Sequence, residues 1–356
     1  MRRTLVVAAA VALIGAACSS GDGGATPASA PVTIPLTTVP SATTGSSSAA
    51  TTEVVTTTTV VDVPTYPLTG LPVTDELAAA RPALVVKIDN HPEARPQTGL
   101  GVADIVFEEN VEGITRFASV FQSQGSDPVG PIRSGRTQDV ALLGSLSRPL
   151  FAWSGGNSSV TRAIDGSDFV NLSAQILRVY QGGGFFRSDR PGPHDLYAQT
   201  TMLWSLAPPD AEPPPPQFSY RADGEMPAGD PSAGVRLEMD GVHVDWTYDA
   251  ATSAYLREQN GRAHTDAATG PIAAANVVAL IVRYAPSPAD ARSPEAQTIG
   301  SGEALVFTGG NLVRGTWERS DRLQPFTLRD ADGTVIELTP GSTWVELARE
   351  GAVAPY

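Results

Sequence analysis

The residues best suited to chemistry fall into three polar groups. The first follows the apolar run ALVVKI and holds Asp89, Asn90, His91, Glu93 and Arg95 in a proline-bracketed segment. The second comprises Glu108, Glu109, Glu112 and Arg116, at the end of one apolar run and the start of the next. The third is GPIRSGR, in which Arg133 and Arg136 flank Ser134 and Gly135 just before a helical pattern opening at Thr137. Free N–H groups and the dipole at a helix N-terminus attract an anion, and arginine forks match carboxylate or phosphate oxygens in pairs. This predicts an anion-binding cleft lined or braced by Asp89, Asn90, Arg95, Arg116, Arg133, Ser134 and Arg136, with His194 as a further ligand-binding residue. The competing reading pairs Arg133 and Arg136 with internal carboxylates such as Glu109 or Glu112, because buried charges are usually partnered from within.

If the chain is an enzyme, Glu109, Glu112 and His194 carry the proton transfer. Asp89, Glu109 and Glu112 stand at strand ends, where two of them would converge to the ~5–9 Å separation of a glycosidase pair, one kept protonated by burial. His194, in RPGPHDLY, has an unperturbed pKa of ~6.5 and suits a general base or an anion ligand; the other reading is a structural histidine bonding loop carbonyls. Asp89-x-His91-x-Glu93 would set three ligands on one side of an extended segment. Four scattered histidines and a single cysteine oppose a zinc cage, so neither metal nor cofactor is expected. SGRT and SGGNSS do not form a Gly-x-Ser-x-Gly elbow. QGGGFF and SGGN match no phosphate-loop pattern and read as loops around a cleft or as turns.

These groups sit on a recognisable frame. ALVVKI, DIVFEE, TRFASVFQ, PLFAWSG and FVNLS read as strands, Thr137–Arg148 has helical spacing, and Asn157 is a good N-cap for the stretch to Asp165. Residues 66–207 therefore form a mixed α/β domain. A Pro-rich linker, residues 208–232 with PPDAEPPPPQ, separates it from a mostly β domain at 233–350. There Asp240-Gly241 and Asn260-Gly261 mark hairpin turns. Trp246, Trp317 and Trp344, with Tyr248 and Tyr255, read as core, and Arg319 in GTWER as a contributor to the cleft. The fold class is α+β.

Ahead of this frame, Arg2 and Arg3 precede an apolar run from Leu5 to Ala17, too short for the ~20 residues a membrane span needs. Residues 1–18 read as an export signal ending in a lipobox, with Cys18, the only cysteine, as the lipidation site. Residues 19–65, rich in Thr, Ser, Ala and Pro, read as a disordered stalk. The net charge of −14 opposes nucleic acid and anionic headgroups as partners. Lys87, the only lysine, receives no function, because the arginine bias is compositional.

In order along the chain, DNHPEARPQTGLGVADIVFEE, ITRFASVFQS, GPIRSGR and PHDLY, then NVV, GSGEALVF, GTWER and PGSTWVEL, resemble the YerB-like bacterial lipoproteins. The resemblance covers nearly all of both folded regions. It implies a two-domain extracytoplasmic lipoprotein on the outer face of the cell membrane and supplies no reaction. The chain departs from the family pattern at Gly113, where a pair of glycines is usual, and at Asp195, where an asparagine is. The leading expectation is an anchored protein whose arginine-lined cleft binds an anionic or glycan-like envelope component. A hydrolase or transferase acting on envelope polymers is the alternative, and a protein-binding scaffold the third.

Overall fold

The structure, a computed structural model, describes residues 63–177, 184–222 and 224–356. The export signal, Cys18 and the stalk up to residue 62 lie outside the described residues, as does the start of QGGGFF. In the first region, strands β1 (Leu84–Asp89), β2 (Ile105–Val111) and β3 (Ile114–Phe121) pair antiparallel in the order β2-β3-β1. Strands β4 (Leu150–Trp153) and β5 (Val170–Ser173) extend the sheet in parallel beyond β1. Every residue of β1 and β2 is buried. Strands covered on both faces read as continuous apolar runs without alternation, as ALVVKI does.

The α+β class holds, and the two regions share one sheet. The C-terminal strand Thr343–Ala348 lies parallel to β2, with Ile105 opposite Thr343 and Glu108 opposite Glu346. Asn276–Ile281, Gly300–Thr308, Asn311–Arg319 and Thr327–Asp330 continue the sheet outward from it. A second sheet, built on Gly234–Met239, Val242–Asp249 and Ala254–Gln259, alternates cleanly: Val242, Val244 and Trp246 point inward, His243 and Thr247 outward. Its hairpin turns at Asp240-Gly241 and Asn260-Gly261, where all four residues have positive φ.

Short helices cover the other face of the main sheet. Helix α1 (Glu76–Ala80) is capped by Asp75, α2 spans Gln138–Leu142, and α3 (Ser158–Asp165) is capped by the Asn157 side chain, which accepts from Ser159 and Val160 N–H. The helical stretch expected from Thr137 to Arg148 stops at Leu142 and ends in a 3₁₀ turn at Gly144–Leu146. Gly144 is a weak helix former, and a Cβ there would meet the Arg322 carbonyl oxygen at 2.7 Å. The proline-rich segment is pinned at Ser219–Tyr220, which pairs with Glu337–Leu338, and the Tyr220 hydroxyl donates to Leu68 O at 2.6 Å.

The core is split between the two faces of the main sheet. One half packs Ile88, Val106 and Phe117 against Leu237, Val244, Trp246 and Trp344. The other packs Val85, Phe107 and Val120 against Leu142, Val160, Ile164 and Trp317. The three tryptophans and Tyr255 are core residues, as expected, while Tyr248 is only partly buried against them.

Between the sheets lies a fully buried ionic group. Arg257 Nη2 donates to Glu108 Oε2 at 2.6 Å, and its guanidinium carbon lies 5.1 Å from the Trp344 ring centroid. Glu346, beside Glu108, accepts from Trp246 Nε1 at 2.8 Å. Burial, then the Glu108 charge, push the Glu346 carboxyl well above the ordinary carboxylate range, against the pull of Arg257. Replacing Arg257 by Met strands Glu108 beside Glu346, and chemical denaturation is expected to show a loss of about 3–5 kcal/mol. Glu346 holds its proton in the folded state at pH values where the unfolded chain, with a glutamate pKa of ~4.3, has lost it. Stability therefore falls as pH rises from that value toward the folded pKa, and Glu346→Gln is expected to flatten that decline in denaturation curves taken across pH.

Candidate functional site

Alternation along β1, β2 and β3 puts Lys87, Asp89, Glu109 and Arg116 on the helix-covered face of the main sheet. Arg116 is the register partner of both Asp89 and Glu109. Lys87 Nζ, fully buried, pairs with Glu109 and with Asp139 Oδ1, the latter at 2.8 Å. Burial brings Lys87 down to about 8 against the attraction of Asp139, with Arg116 and Arg136 adding repulsion. Gln138 Nε2 also donates to Glu109. Glu109 is 0 % exposed and neutralised by Lys87, which removes it from any surface proton transfer.

The anion expected at the start of α2 is the chain's own. Asp139 Oδ2 accepts the Arg136 N–H at 2.7 Å while its other oxygen holds Lys87. Two of the arginines are likewise partnered internally. Arg133 Nε lies 3.1 Å from Asp89 Oδ2, and Arg136 Nη2 donates to Glu112 Oε2 at 2.6 Å. Burial opposes the Glu112 charge, but Arg136 and then Arg116 bring its pKa below the usual value overall. His194 Nδ1 lies 2.7 Å from Asp89 Oδ2. Asp89, Glu109 and Glu112 are thus each tied to a different cation.

Asn90 and Arg95 do not join this group. Asn90 turns to the opposite face, where Nδ2 donates to Thr115 Oγ1 at 2.6 Å and to Gln259 Oε1 at 3.2 Å. Arg95 Nη2 donates to Asn90 O, and Arg95 lines a separate pocket with Gln259, Arg262 and His264. Burial, then Arg257 and Arg95, hold His264 well below the ordinary histidine value, so its neutral ring donates from Nε2 to Gln97 Oε1 at 2.9 Å. Arg319 braces a loop by donating to the carbonyls of Gln324 and Arg322 and lies away from the cleft.

Arg116 differs from Arg133 and Arg136. It is 4 % exposed, it donates from Nη1 to Ser134 O at 3.1 Å, and its Nε has no partner. No carboxylate lies within salt-bridge distance of it among the described residues. Burial first, then repulsion from Arg136, bring it down to about 10, with Asp89 opposing. Above Ser134 opens a pocket of about 410 Å³, lined by Glu112, Arg136, Ser154, Asn157, Gln175 and Ser293 among others. The SGGN loop forms one wall. Gly155 has φ +119, and a Cβ there would lie 2.4 Å from Gln175 Cδ, so only glycine suits this wall. Ser287, Asp290 and Ser293 come from the C-terminal region, on a loop no sequence motif marked. The GPIRSGR motif, Glu112 and the Gly-Gly pair signalled this pocket from the first region, while Arg257 and Gln259 were signalled only by their alternation with Tyr255.

The fold is that of a two-part protein whose parts share one sheet. Residues 68–211 match the family described as "Protein of unknown function (DUF3048) N-terminal domain", and residues 235–345 its C-terminal domain. The chain belongs to this family. It is 30 % identical over 303 residues to the Bacillus subtilis (strain 168) protein named "Putative lipoprotein YerB", covering 79 % of this chain and 85 % of that one. The crystal structure of YerB from Bacillus subtilis superposes with a TM-score of 0.72 at 26 % identity, covering 82 % of this chain and 99 % of that chain.

The Lys87 group gives a direct test of the buried charge balance. Lys87→Met leaves Glu109 and Asp139 buried without their cation, and denaturant unfolding at neutral pH is expected to show a loss of about 3–5 kcal/mol. Both carboxyls in the variant are driven upward in pKa, so the deficit shrinks as pH falls and they protonate.

Proposed function

We propose that the chain is a membrane-anchored, extracytoplasmic binding protein of the cell envelope. Its pocket accepts a hydroxyl-rich, glycan-like ligand that carries a carboxylate or phosphate. The observation that carries this reading is Arg116, a buried guanidinium without a carboxylate partner, which donates to the carbonyl of Ser134 in the pocket wall. A buried cation short of an anion is costly, and negative charge brought near it relieves that cost. Glu112 is 43 % exposed on its side chain, so an incoming anion would displace it from Arg136, which lines the pocket. The serines, Asn157 and Gln175 of the wall supply donors and acceptors for hydroxyls.

Anchoring is supported by the export signal, by Cys18 and by the name of the Bacillus subtilis relative. No helix among the described residues is long and apolar enough to cross a membrane.

The reading is tested by thermal-shift titration of the chain with muropeptides, teichoic-acid fragments and phosphosugars. A ligand present at 100 times its Kd is expected to add about 2.7 kcal/mol. Arg136→Ala should weaken the response, whereas Glu112→Gln, which removes the competing anion, should strengthen it. If Glu112→Gln instead preserves binding but abolishes conversion of a ligand seen by mass spectrometry, the chain is an envelope hydrolase or transferase. Absence of any shift across the panel rejects the pocket as a ligand site.

A further inference from the structure

Beside the arginine pocket, His91, Glu93 and His194 bring three ligand atoms to within 4.8 Å of one another. The segment carrying the first two is not extended. Pro92–Ala94 forms a single 3₁₀ turn that leaves Glu93 74 % exposed, while Asp89, the last residue of β1, points inward. The third ligand comes from over a hundred residues away, in the PHDLY motif. The imidazoles of His91 and His194 stack with centroids 4.7 Å apart and planes 14° apart. His194 Nε2 stands 3.5 Å from Glu93 Oε2.

The arrangement behind His194 is what separates this trio from a chance surface cluster. Asp89, 1 % exposed, meets His194 Nδ1 at 2.7 Å, so that nitrogen carries the proton and Nε2 presents its lone pair toward Glu93. Asp89 is itself fixed: Arg133 Nε lies 3.1 Å from Oδ2, and the His91 N–H donates to Oδ1 at 3.0 Å. A carboxylate that orients an imidazole and raises its basicity is the usual support of a metal-binding histidine. His91 makes one long hydrogen bond, accepting the Glu93 N–H at 3.3 Å through Nδ1, and it is partly exposed.

We infer that His91, Glu93 and His194 form a binding site for a divalent transition ion of the zinc type, with Asp89 as the group that orients His194. Two imidazoles and one carboxylate suit zinc and its neighbours better than calcium or magnesium. Three protein ligands leave a coordination position for water or another oxygen donor. The inference stands apart from the ligand assigned to the arginine pocket, because none of the three ligands lines it.

The test is calorimetric titration of zinc chloride into the purified chain after chelator treatment, with cobalt(II) absorption as a second readout. One equivalent should bind per chain at micromolar concentration. His91→Ala and Glu93→Gln, both at exposed or partly exposed positions, should each weaken binding by about tenfold or more while leaving the metal-free melting midpoint essentially in place. Asp89→Asn should weaken it about 10- to 100-fold. The inference is overturned if no zinc binds at micromolar concentration, or if His91→Ala and Glu93→Gln bind as the wild type does. It is equally overturned if binding is lost in His243→Ala, whose imidazole pairs with Glu238 at 2.6 Å on the far sheet.

Discussion

Glu108 and Glu346 face each other across adjacent parallel strands, both without exposure to solvent, and one cation lies between them and the second sheet. Two charged carboxylates cannot stay together in such a place, so Arg257 neutralises one and a retained proton neutralises the other. The rest of the structure depends on this balance. Arg257 reaches Glu108 only if Ala254–Gln259 is laid over the main sheet with its inward residues Tyr255, Arg257 and Gln259 in register. Trp246 reaches Glu346 only if the neighbouring strand is seated the same way. Apolar packing between the sheets supplies the bulk of the attraction and is tolerant of sliding. The ionic group is not tolerant, since a shift strands a buried charge.

The opposite face of the same sheet solves a similar problem differently. Lys87, Glu109 and Asp139 form a closed group, and Asp139 serves at once as counter-ion to Lys87 and as acceptor at the start of α2. Nearer the surface, Asp89, Arg133 and His194 form a second group, and Glu112 with Arg136 a third. Arg116 stands between the latter two and belongs to neither. Arg319, also buried without an acid, rests its guanidinium on loop carbonyls, whereas Arg116 keeps an Nε without a partner. The polar pocket above it and the His91–Glu93–His194 trio beside it share a physical basis. Both are polar groups arranged by rigid strand ends and a proline-bracketed loop, with some of their bonding capacity unspent.

The strands and the two regions were legible in the sequence because their signals are local. Runs such as ALVVKI and TRFASVFQ, the alternation of VHVDW, and the Asp-Gly and Asn-Gly turns each depend on neighbouring residues only. The three polar groups of the first region were legible as well, since charge in a mostly apolar stretch stands out. The direction each side chain takes was not. Asn90 follows Asp89 directly, yet a strand sends successive side chains to opposite faces, so the two serve different networks. Lys87 looked incidental by composition and proved to be the counter-ion of two carboxylates. His264, just past the Asn260-Gly261 turn, is a buried imidazole that no local signal marked.

By itself the sequence determined most of the strands, the family, and the residue types from which any site must be made. Only the tertiary structure decided which acids neutralise which bases, that the two regions share one sheet through β2 and Thr343–Ala348, and that Arg116, unlike Arg133 and Arg136, has no acid at contact distance. Pairing is set by distances between residues far apart in the chain, such as Asp89 and His194 or Glu108 and Arg257. Composition and spacing cannot fix such distances, because they are created only when the strands are laid side by side.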